Sequence, residues 1–305
     1  MNAINRTATL LQRCSVLLAL LLLVTGVHAQ NPLEDAVKQL SSDNARGYLQ
    51  PFVDGFGANL NSGIYRSADL GALGLHLKLE LVGMGTLIGD GEKTYMGTPP
   101  EPFPQTAVTT ATVFGDRGTV VTDSRGTVQY QFQNGQVKTS MMPFLAPQLR
   151  IGNILGTEAI FRYVPIPEID KFPKVTLFGF GLRHSISQYL PTAPVDIAAA
   201  FFYQTFDIGE IFEANAFNIG AQASKSFSVL TVYGGLQYET STMKVTYAYT
   251  GYGTIPNTNV SIEVDGKNNM RLMLGTGLNL VIFNLNADIN IGNVTVVSGG
   301  IGFGF

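Results

Sequence analysis

A nucleophilic serine with a general base is the first chemistry that the residue types suggest, in the segment Arg183-His184-Ser185 with Ser187. A nucleophile and its base must lie within hydrogen-bond reach of each other. Neighbours in a strand point to opposite faces, so His184 and Ser185 diverge, and Ile186 takes the position that shares a face with His184. The spacing therefore favours a polar strand end over the site of a lipid-modifying hydrolase.

Metal ligation is not indicated either. Beyond the N-terminal 29 residues the chain has two histidines, His76 and His184, which are far apart in sequence, and it has no cysteine. Asp90-Gly91 and Asp265-Gly266 are typical of turns. The sequence predicts no enzymatic activity, no metal and no cofactor.

Polar side chains at alternate positions of apolar segments form a larger set that could line the inside of a barrel. Charges buried in a narrow barrel must be paired or wetted. The mixture of signs indicates either a salt-bridge network that fills the lumen or the lining of a passage, and a barrel of intermediate size allows both. The lumen candidates are Lys78, Glu80, Arg150, Glu158, Arg162, Arg183, Asp196, Gln222, Glu239, Arg271, Asn284, Asn286, Asp288 and Asn290.

Apolar and polar residues alternate in the segments that carry these candidates. Leu75, Leu77 and Leu79 alternate with His76 and Lys78, and a similar ladder covers 283–291. Period two places each set on its own face of a strand. The segments 174–184, 195–205, 213–224, 229–241, 268–280 and 295–305 have the length of about 9 to 11 residues that a tilted strand needs to cross a bilayer.

The C-terminus adds a second indication of a membrane barrel. Ile301, Phe303 and Phe305 share one face of the last strand, which resembles the terminal assembly signal of bacterial outer-membrane barrels. The predicted fold is all-β, an antiparallel transmembrane β-barrel of about 10–14 strands. Ten strands can be counted from Leu73 onward, and additional strands at 56–66 and within 105–116 make twelve the preferred number.

The N-terminus predicts export. Arg6 and Arg13 precede an apolar run, and Val27-His28-Ala29 suits cleavage between Ala29 and Gln30, so residues 1–29 are predicted to be a signal peptide. The single cysteine, Cys14, lies inside it. The signal contains two arginines and no acidic residue, out of 19 basic and 22 acidic residues in the chain, so the remainder is more acidic and a nucleic-acid partner is not expected.

Residues 30–54 are predicted to form a short helical segment, because Leu33, Val37 and Leu40 recur at helical spacing. The glycines of 55–59 would then turn the chain into the first strand. The segment could be a plug that enters the lumen or a cap on the periplasmic rim. Residues 55–305 would form the barrel, with long loops near 87–146 and 242–267.

Two stretches carry a resemblance to a known family. Gly47-Tyr48-Leu49-Gln50-Pro51 through Leu60-Asn61-Ser62-Gly63, and 177–185 through 189–191, resemble outer-membrane proteins of Bacteroidota-like bacteria. More distantly, a helix before a barrel is similar to the long-chain fatty-acid transporter family, whose members have a hatch and fourteen strands. The resemblance implies a barrel and no catalytic motif.

Three functions are compatible with these patterns. The leading hypothesis is a conduit or uptake protein for a small molecule, which could be hydrophobic, gated by the N-terminal segment. The second is a structural, assembly or partner-binding protein without transport, and the third is a lipid-modifying enzyme. In each case we expect the protein to lie in the bacterial outer membrane, with its lipid and the barrel assembly machinery as partners.

Overall fold

A computed structural model describes residues 42–71, 74–169, 173–190, 192–249 and 258–304. The predicted signal peptide, its cleavage site and the helical pattern at 33–40 lie outside these residues. The elements are α1 (Ser42–Leu60), β1 (His76–Leu87), β2 (Thr94–Gly97), β3 (Val108–Ala111), β4 (Val120–Thr122), β5 (Gln129–Gln131), β6 (Met141–Ile154), β7 (Thr157–Ile166), β8 (Val175–Ser185), β9 (Asp196–Ile208), β10 (Phe212–Phe227), β11 (Leu230–Tyr249), β12 (Thr258–Asp265), β13 (Met270–Leu280), β14 (Phe283–Ile291) and β15 (Thr295–Gly304).

Ten antiparallel strands of the described chain close into one barrel, in the order β1, β6, β7, β8, β9, β10, β11, β13, β14, β15 and back to β1. The closing pair joins the first and last strands, with Lys78 opposite Gly304 and Thr86 opposite Val296. A closed barrel pairs every strand on both sides, so it has no exposed edge. The all-β barrel prediction is confirmed.

The preferred count of twelve strands is wrong. Residues 56–60 belong to α1, and 61–66 continue as irregular chain. The second additional strand exists as β3, but β3 pairs with β2 in a separate hairpin outside the barrel. The strand β12 adds no wall strand, since it pairs with the far half of β11 and the chain then continues into β13. Most of the expected loop at 242–267 is therefore hairpin, with 250–257 outside the described residues.

The barrel has an apolar outer face, whereas its inner face combines polar and charged side chains with an apolar cluster that includes Val82, Met84 and Phe144. Leu77, Leu79, Leu285 and Ile301 are between 40% and 63% exposed, whereas Glu80, which alternates with the leucines, is 4% exposed. A water-soluble barrel would not expose a continuous ring of large apolar side chains on its outer face. An outer belt of this kind is suited to lipid.

The two ends of the barrel differ. One end, here the terminal end, holds the start of β1 and the end of β15 and has tight turns such as Leu155-Gly156 and Ser228-Val229. The other, the loop end, carries the long 88–140 connection with its hairpins β2–β3 and β4–β5. The turn of the second hairpin is held by Asp123, whose carboxylate accepts the amide N–H of Thr127 at 2.7 Å.

The N-terminal helix extends farther than predicted. Gly55-Phe56-Gly57-Ala58-Asn59 is helical instead of forming a turn into a strand, and the barrel begins at His76 instead of residue 55. Glycine costs a helix about 0.5–1 kcal/mol relative to alanine. It is used here because a Cβ on Gly57 would lie 2.0 Å from the Oγ of Ser241, so the helix could not otherwise approach β11 so closely.

An arginine on the outer face tests whether that face contacts lipid. Leu274, near the middle of β13, is 51% exposed, and Val128 in the loop region is 55% exposed. Leu274→Arg should lower the free energy of unfolding by about 2–4 kcal/mol if the belt lies in a bilayer. Val128→Arg should change it by less than about 0.5 kcal/mol. Urea unfolding in lipid vesicles measures both, and equally small losses would place the outer face in water.

Candidate functional site: the plugged lumen

The lumen is occupied by residues 42–71, here called the plug. The helix α1 begins among the loop-end residues, where Val113 N donates to Tyr48 O at 3.1 Å and the Tyr48 hydroxyl donates to Asn134 O at 2.9 Å. The irregular segment that follows continues toward the terminal end, where the side-chain amide of Asn153 donates to Leu70 O. The plug therefore passes along the inside of the barrel from one end to the other.

Aromatic packing holds the helix at the loop end. The ring of Phe56 lies 5.3 Å from that of Phe206, 5.6 Å from Phe144 and 5.6 Å from Phe212, and it stacks on Phe52 at 5.9 Å. Three of these rings come from the wall strands β6, β9 and β10. Edge-to-face aromatic pairs contribute about 0.5–1.5 kcal/mol each beyond their area burial. This layer closes the loop-end mouth with apolar side chains.

A clasp of polar contacts fixes the outer side of the helix. The carboxylate of Asp54 accepts the amide N–H of Lys267 at 2.7 Å and the side-chain amide of Gln50 at 2.8 Å, and the same amide donates to Asp265 O at 2.8 Å. Burial raises the pKa of the Asp54 carboxyl, against the smaller lowering by these hydrogen bonds. The clasp ties α1 to the connection between β12 and β13.

Arginines of the barrel wall hold the plug farther inside, through its carbonyl oxygens. Arg162 donates to Leu60 O at 3.2 Å and to Ser62 O at 2.7 Å. Arg271 donates to Ala58 O at 3.1 Å and to the hydroxyl of Ser62 at 2.6 Å. The last carbonyls of a helix have no partner within the helix. These two arginines therefore cap the C-terminal end of α1.

Two further arginines do the same for the extended part of the plug. Arg150 donates to Ile64 O at 2.6 Å, and Arg183 donates to Ser67 O. The wall strands use their own backbone groups for barrel pairing, so only side chains remain to satisfy the carbonyls of the plug. The guanidinium group, with five donors, can bind a carbonyl and a carboxylate together.

Carboxylates of the wall balance these cations. Arg150 lies between Glu80 and Glu158, with N···O distances of 2.9 and 2.8 Å, and Arg183 also binds Glu158 at 2.7 Å. The His76 ring contacts the same Glu158 at 3.1 Å. The side chains of Arg150 and Arg183 are only 2% exposed. Ion pairs so deeply buried are stable only when their geometry and hydrogen bonds are complete.

Two smaller clusters complete the lumen. Glu239 binds Arg271 at 2.7 Å. On the neighbouring strand β14, Asp288 binds Arg66 of the plug at 3.3 Å and accepts the hydroxyl of Tyr233 at 3.2 Å. Every buried carboxylate of these clusters is thus paired with an arginine, from the wall or from the plug.

Comparison with known proteins places this architecture in a family. The family of unknown function DUF6588 matches residues 9–305, nearly the whole chain. The chain belongs to the DUF6588 family. A search of curated proteins found no match to this DUF6588 chain.

Several solved porins are distantly similar to the DUF6588 chain. A mutant of the Rh. blastica porin matches at 13% identity over 75% of this chain and 100% of that one, with a TM-score of 0.20. Acinetobacter baumannii OccAB4 matches at 10% identity over 77% and 98%, with a TM-score of 0.16. A BenF-like porin from Pseudomonas fluorescens Pf-5 matches at 8% identity over 76% and 97%, with a TM-score of 0.18. TM-scores this low do not establish a shared fold.

The structure places the predicted lumen residues of the DUF6588 chain at different depths. All of them lie on barrel strands, and those that are half-buried sit toward the terminal end. The buried ones are Glu80, Arg150, Glu158, Arg162, Arg183, Gln222, Glu239, Arg271, Asp288 and Asn290, and the half-buried ones are Lys78, Asp196, Asn284 and Asn286. In the predicted assembly signal, Ile301 and Phe303 are 63% and 54% exposed, and Phe305 lies outside the described residues.

The serine and histidine residues considered as a hydrolase site make other contacts. The His184 ring contacts the Thr157 hydroxyl at 2.9 Å and the Tyr189 hydroxyl at 3.1 Å, while Ser187 donates to Ile197 O at 3.3 Å. In the described ranges, no three His, Cys, Asp or Glu residues are grouped to hold a metal ion. Likewise, none of the described helices is long and apolar enough to cross a membrane.

Sequence reasoning missed several lumen residues, including the buried wall residues Gln148, Gln204, Asn218 and Gln237, and it also missed Arg66. Arg66 lies on the plug and not on a strand, so alternation could not identify it. The available signal was its position, because Arg66 follows a helix and the glycine-containing turn at Gly63. Its partners, Asp288 and Gln222, are more than 150 residues away along the chain.

Removing one wall arginine should loosen the plug without unfolding the barrel. Arg162 makes no carboxylate contact among the described residues, so Arg162→Gln leaves no buried acid without a cation, but it removes the donors to Leu60 O and Ser62 O. A lost buried hydrogen bond costs about 1–3 kcal/mol. Amide hydrogen exchange in 58–67 should accelerate at least about tenfold.

The matched control is Arg117→Gln, at an exposed position of the loop region, which should leave exchange in the plug unchanged. Equal acceleration in the plug and in the wall strands of Arg162→Gln would mean that plug and barrel unfold together, which contradicts a separately releasable plug.

Proposed function

We propose that this DUF6588 protein is a gated conduit of the bacterial outer membrane, in which the plug closes the lumen and its displacement admits a small molecule. The observation that supports it best is the path of the plug, which fills the lumen along its length while belonging to no wall strand. Small barrels are usually filled by their own wall side chains. Here a separate segment does much of the filling, so its movement would open a path.

The location is proposed from the outer belt and from the sequence. Exposed leucines, isoleucines and aromatic residues surround the barrel, and the sequence begins with a predicted signal peptide cleaved between Ala29 and Gln30. Long loops on one end and tight turns on the other fit extracellular and periplasmic sides. The loop end would then face outward. The expected partners are outer-membrane lipid and the barrel assembly machinery.

The contacts of the plug with the wall support a plug that can be released from the lumen. Around Phe56 the helix is held by ring packing, and farther inside it is held by guanidinium groups that bind carbonyl oxygens. Neither contact is covalent. A small hydrophobic molecule could replace the helix among the rings at the loop end, whereas the terminal end presents polar groups.

A second candidate is a partner-binding outer-membrane protein that never opens. The two loop-end hairpins support it, since Met96 and Val128 there are 63% and 55% exposed. The many buried anchors of the plug also fit a permanent filling. A lipid-modifying enzyme is the least supported function, because the described contacts of His184 and Ser187 do not join them.

A disulfide between plug and wall tests gating directly. A Cβ on Gly55 would lie 3.5 Å from the Cβ of Thr86 on β1, within the range that a disulfide spans, and the nearest obstacle is the flexible end of Met142. The only native cysteine, Cys14, lies in the predicted signal. The Gly55→Cys/Thr86→Cys variant should conduct in planar bilayers when reduced and lose at least about tenfold of that conductance when oxidised, because the plug can no longer leave.

The single variants Gly55→Cys and Thr86→Cys, treated with the same oxidant, are the controls and should show no redox dependence. Conductance that persists in a fully cross-linked double variant would show that plug movement is not needed. Absence of conductance in the reduced variant and in the parent would remove the conduit and favour the partner-binding protein.

The terminal aromatic residue tests the outer-membrane assignment separately. Phe305→Ser should reduce the folded protein in outer-membrane fractions several-fold, because it removes the last residue of the predicted assembly signal. Phe227→Ser is the matched control, since Phe227 is 59% exposed but ends β10 at an internal turn. Heat-modifiable gel migration measures the folded amount. Equal folded levels in both variants would contradict the assembly-signal assignment.

A further inference from the structure

A polar cavity of about 350 Å³ lies at the terminal end of the lumen, below the arginine anchors, and is here called the vestibule. The plug residues 66–70 form one side of it, and strands β1, β13, β14 and β15 form others. Acidic and basic side chains both face it. The titratable side chains that line it are Arg66, Asp69, His76, Lys78, Glu80, Arg150, Glu158 and Arg183.

One edge of the Arg66 guanidinium has no partner in the described structure. Nη1 donates to Asp288 at 3.3 Å and to Tyr65 O at 2.7 Å. Nε and Nη2 are inaccessible to solvent and have no hydrogen-bond partner, and the whole residue is only 8% exposed. These two nitrogens form the side-on edge of the group, whose two parallel N–H bonds match the two oxygens of a carboxylate or phosphate.

The surroundings of this edge form a small cradle. The side-chain carbonyl of Asn286 is also buried without a partner. A Cβ added at Gly300 would lie 3.2 Å from Nη2 of Arg66 and 3.0 Å from both polar side-chain atoms of Asn286, so the two side chains lie close together over that glycine. Asn286 could donate to an oxyanion through its amide and accept a hydroxyl through its oxygen.

Most other charges of the vestibule are already balanced. Arg150 and Arg183 bind Glu80 and Glu158. Lys78 makes no ion pair among the described residues and lines the same cavity. Buried donors without acceptors are costly, so the unpaired edge of Arg66 favours a ligand that supplies two acceptor oxygens.

We propose that the vestibule binds the carboxylate or phosphate group of a small molecule through the side-on edge of Arg66, with Asn286 and Lys78 as further contacts. The further statement that such a molecule is the transported substrate rests on the conduit proposed above. The binding itself requires the folded barrel with its plug in place and a shift of the Arg66 side chain that turns the closed edge toward the cavity.

Titration calorimetry on the folded full-length protein in detergent tests the proposal with three probes. Benzoate and benzamide have similar shape but only benzoate carries an oxyanion, and inorganic phosphate is the third probe. We expect benzamide to bind at least about tenfold more weakly than the preferred oxyanion. Benzoate binding without phosphate binding assigns a carboxylate, and the reverse assigns a phosphate.

Variants connect the binding to Arg66. Arg66→Lys keeps the positive charge but loses the planar pair of donors, and it should weaken binding of the oxyanion at least about tenfold. Gly300→Ala keeps every charge, but its methyl group would press on Nη2 of Arg66 and on Asn286, and it should weaken binding similarly. The controls are Arg117→Lys in the loop region and Gly83→Ala, whose Cβ would meet nothing closer than 3.7 Å. Heat-modifiable migration verifies that each variant is folded.

The proposal is overturned if neither oxyanion binds, if benzamide binds as well as benzoate, or if folded Arg66→Lys and Gly300→Ala bind as the parent does. Calorimetry on the oxidised Gly55→Cys/Thr86→Cys protein distinguishes failure of the binding site from failure of the conduit. The cross-link holds the plug in place, and neither cysteine lines the vestibule. Oxyanion binding without conductance in the parent or in the reduced variant would support the binding site and contradict the conduit.

Discussion

Hydrogen bonds from buried wall arginines to carbonyl oxygens of the plug are the interaction on which the rest of the structure depends. The backbone groups of a barrel wall are used by neighbouring strands, so a segment inside the lumen finds no sheet edge to join. Side chains must satisfy its carbonyls. Arg162 and Arg271 cap the helix, and Arg150 and Arg183 serve the extended part. The wall carboxylates Glu80, Glu158 and Glu239 are explained by the same arginines, because buried guanidinium groups need counter-charges.

The wall could be predicted from the sequence because strand geometry is local. Period two alone separates Leu285 and Ile289 from Asn284 and Asn286, and the structure places the first pair outward and the second pair half-buried inside. Segment lengths gave strand bounds that agree within a few residues for β8 and β13. The polar residues at alternate positions of the strands include the wall residues of the salt-bridge network. Their function as the lining of a passage stays a prediction.

The plug and the pairing inside it could not be predicted in the same way. Gly55 and Gly57 indicate a turn when read alone, and only contact with Thr86 and Ser241 explains why they are helical. The same interpretation of the glycines raises the predicted number of strands, because it places a strand at 56–66, where the structure has the end of α1. Arg66 and Asp288 are distant in sequence. Their contact depends on how far the plug extends toward the terminal end before β1 begins, and local sequence patterns do not determine that depth.

The order of the chain through the lumen also constrains how the molecule forms. The plug enters at the loop end, leaves at the terminal end and continues directly into β1, which closes the ring with β15, the last strand of the chain. A ring that had already closed would have to be threaded from one mouth by the whole segment that precedes β1. Closure of the seam between β1 and β15 around a plug that is already in place avoids that threading, because the open seam admits the plug from the side.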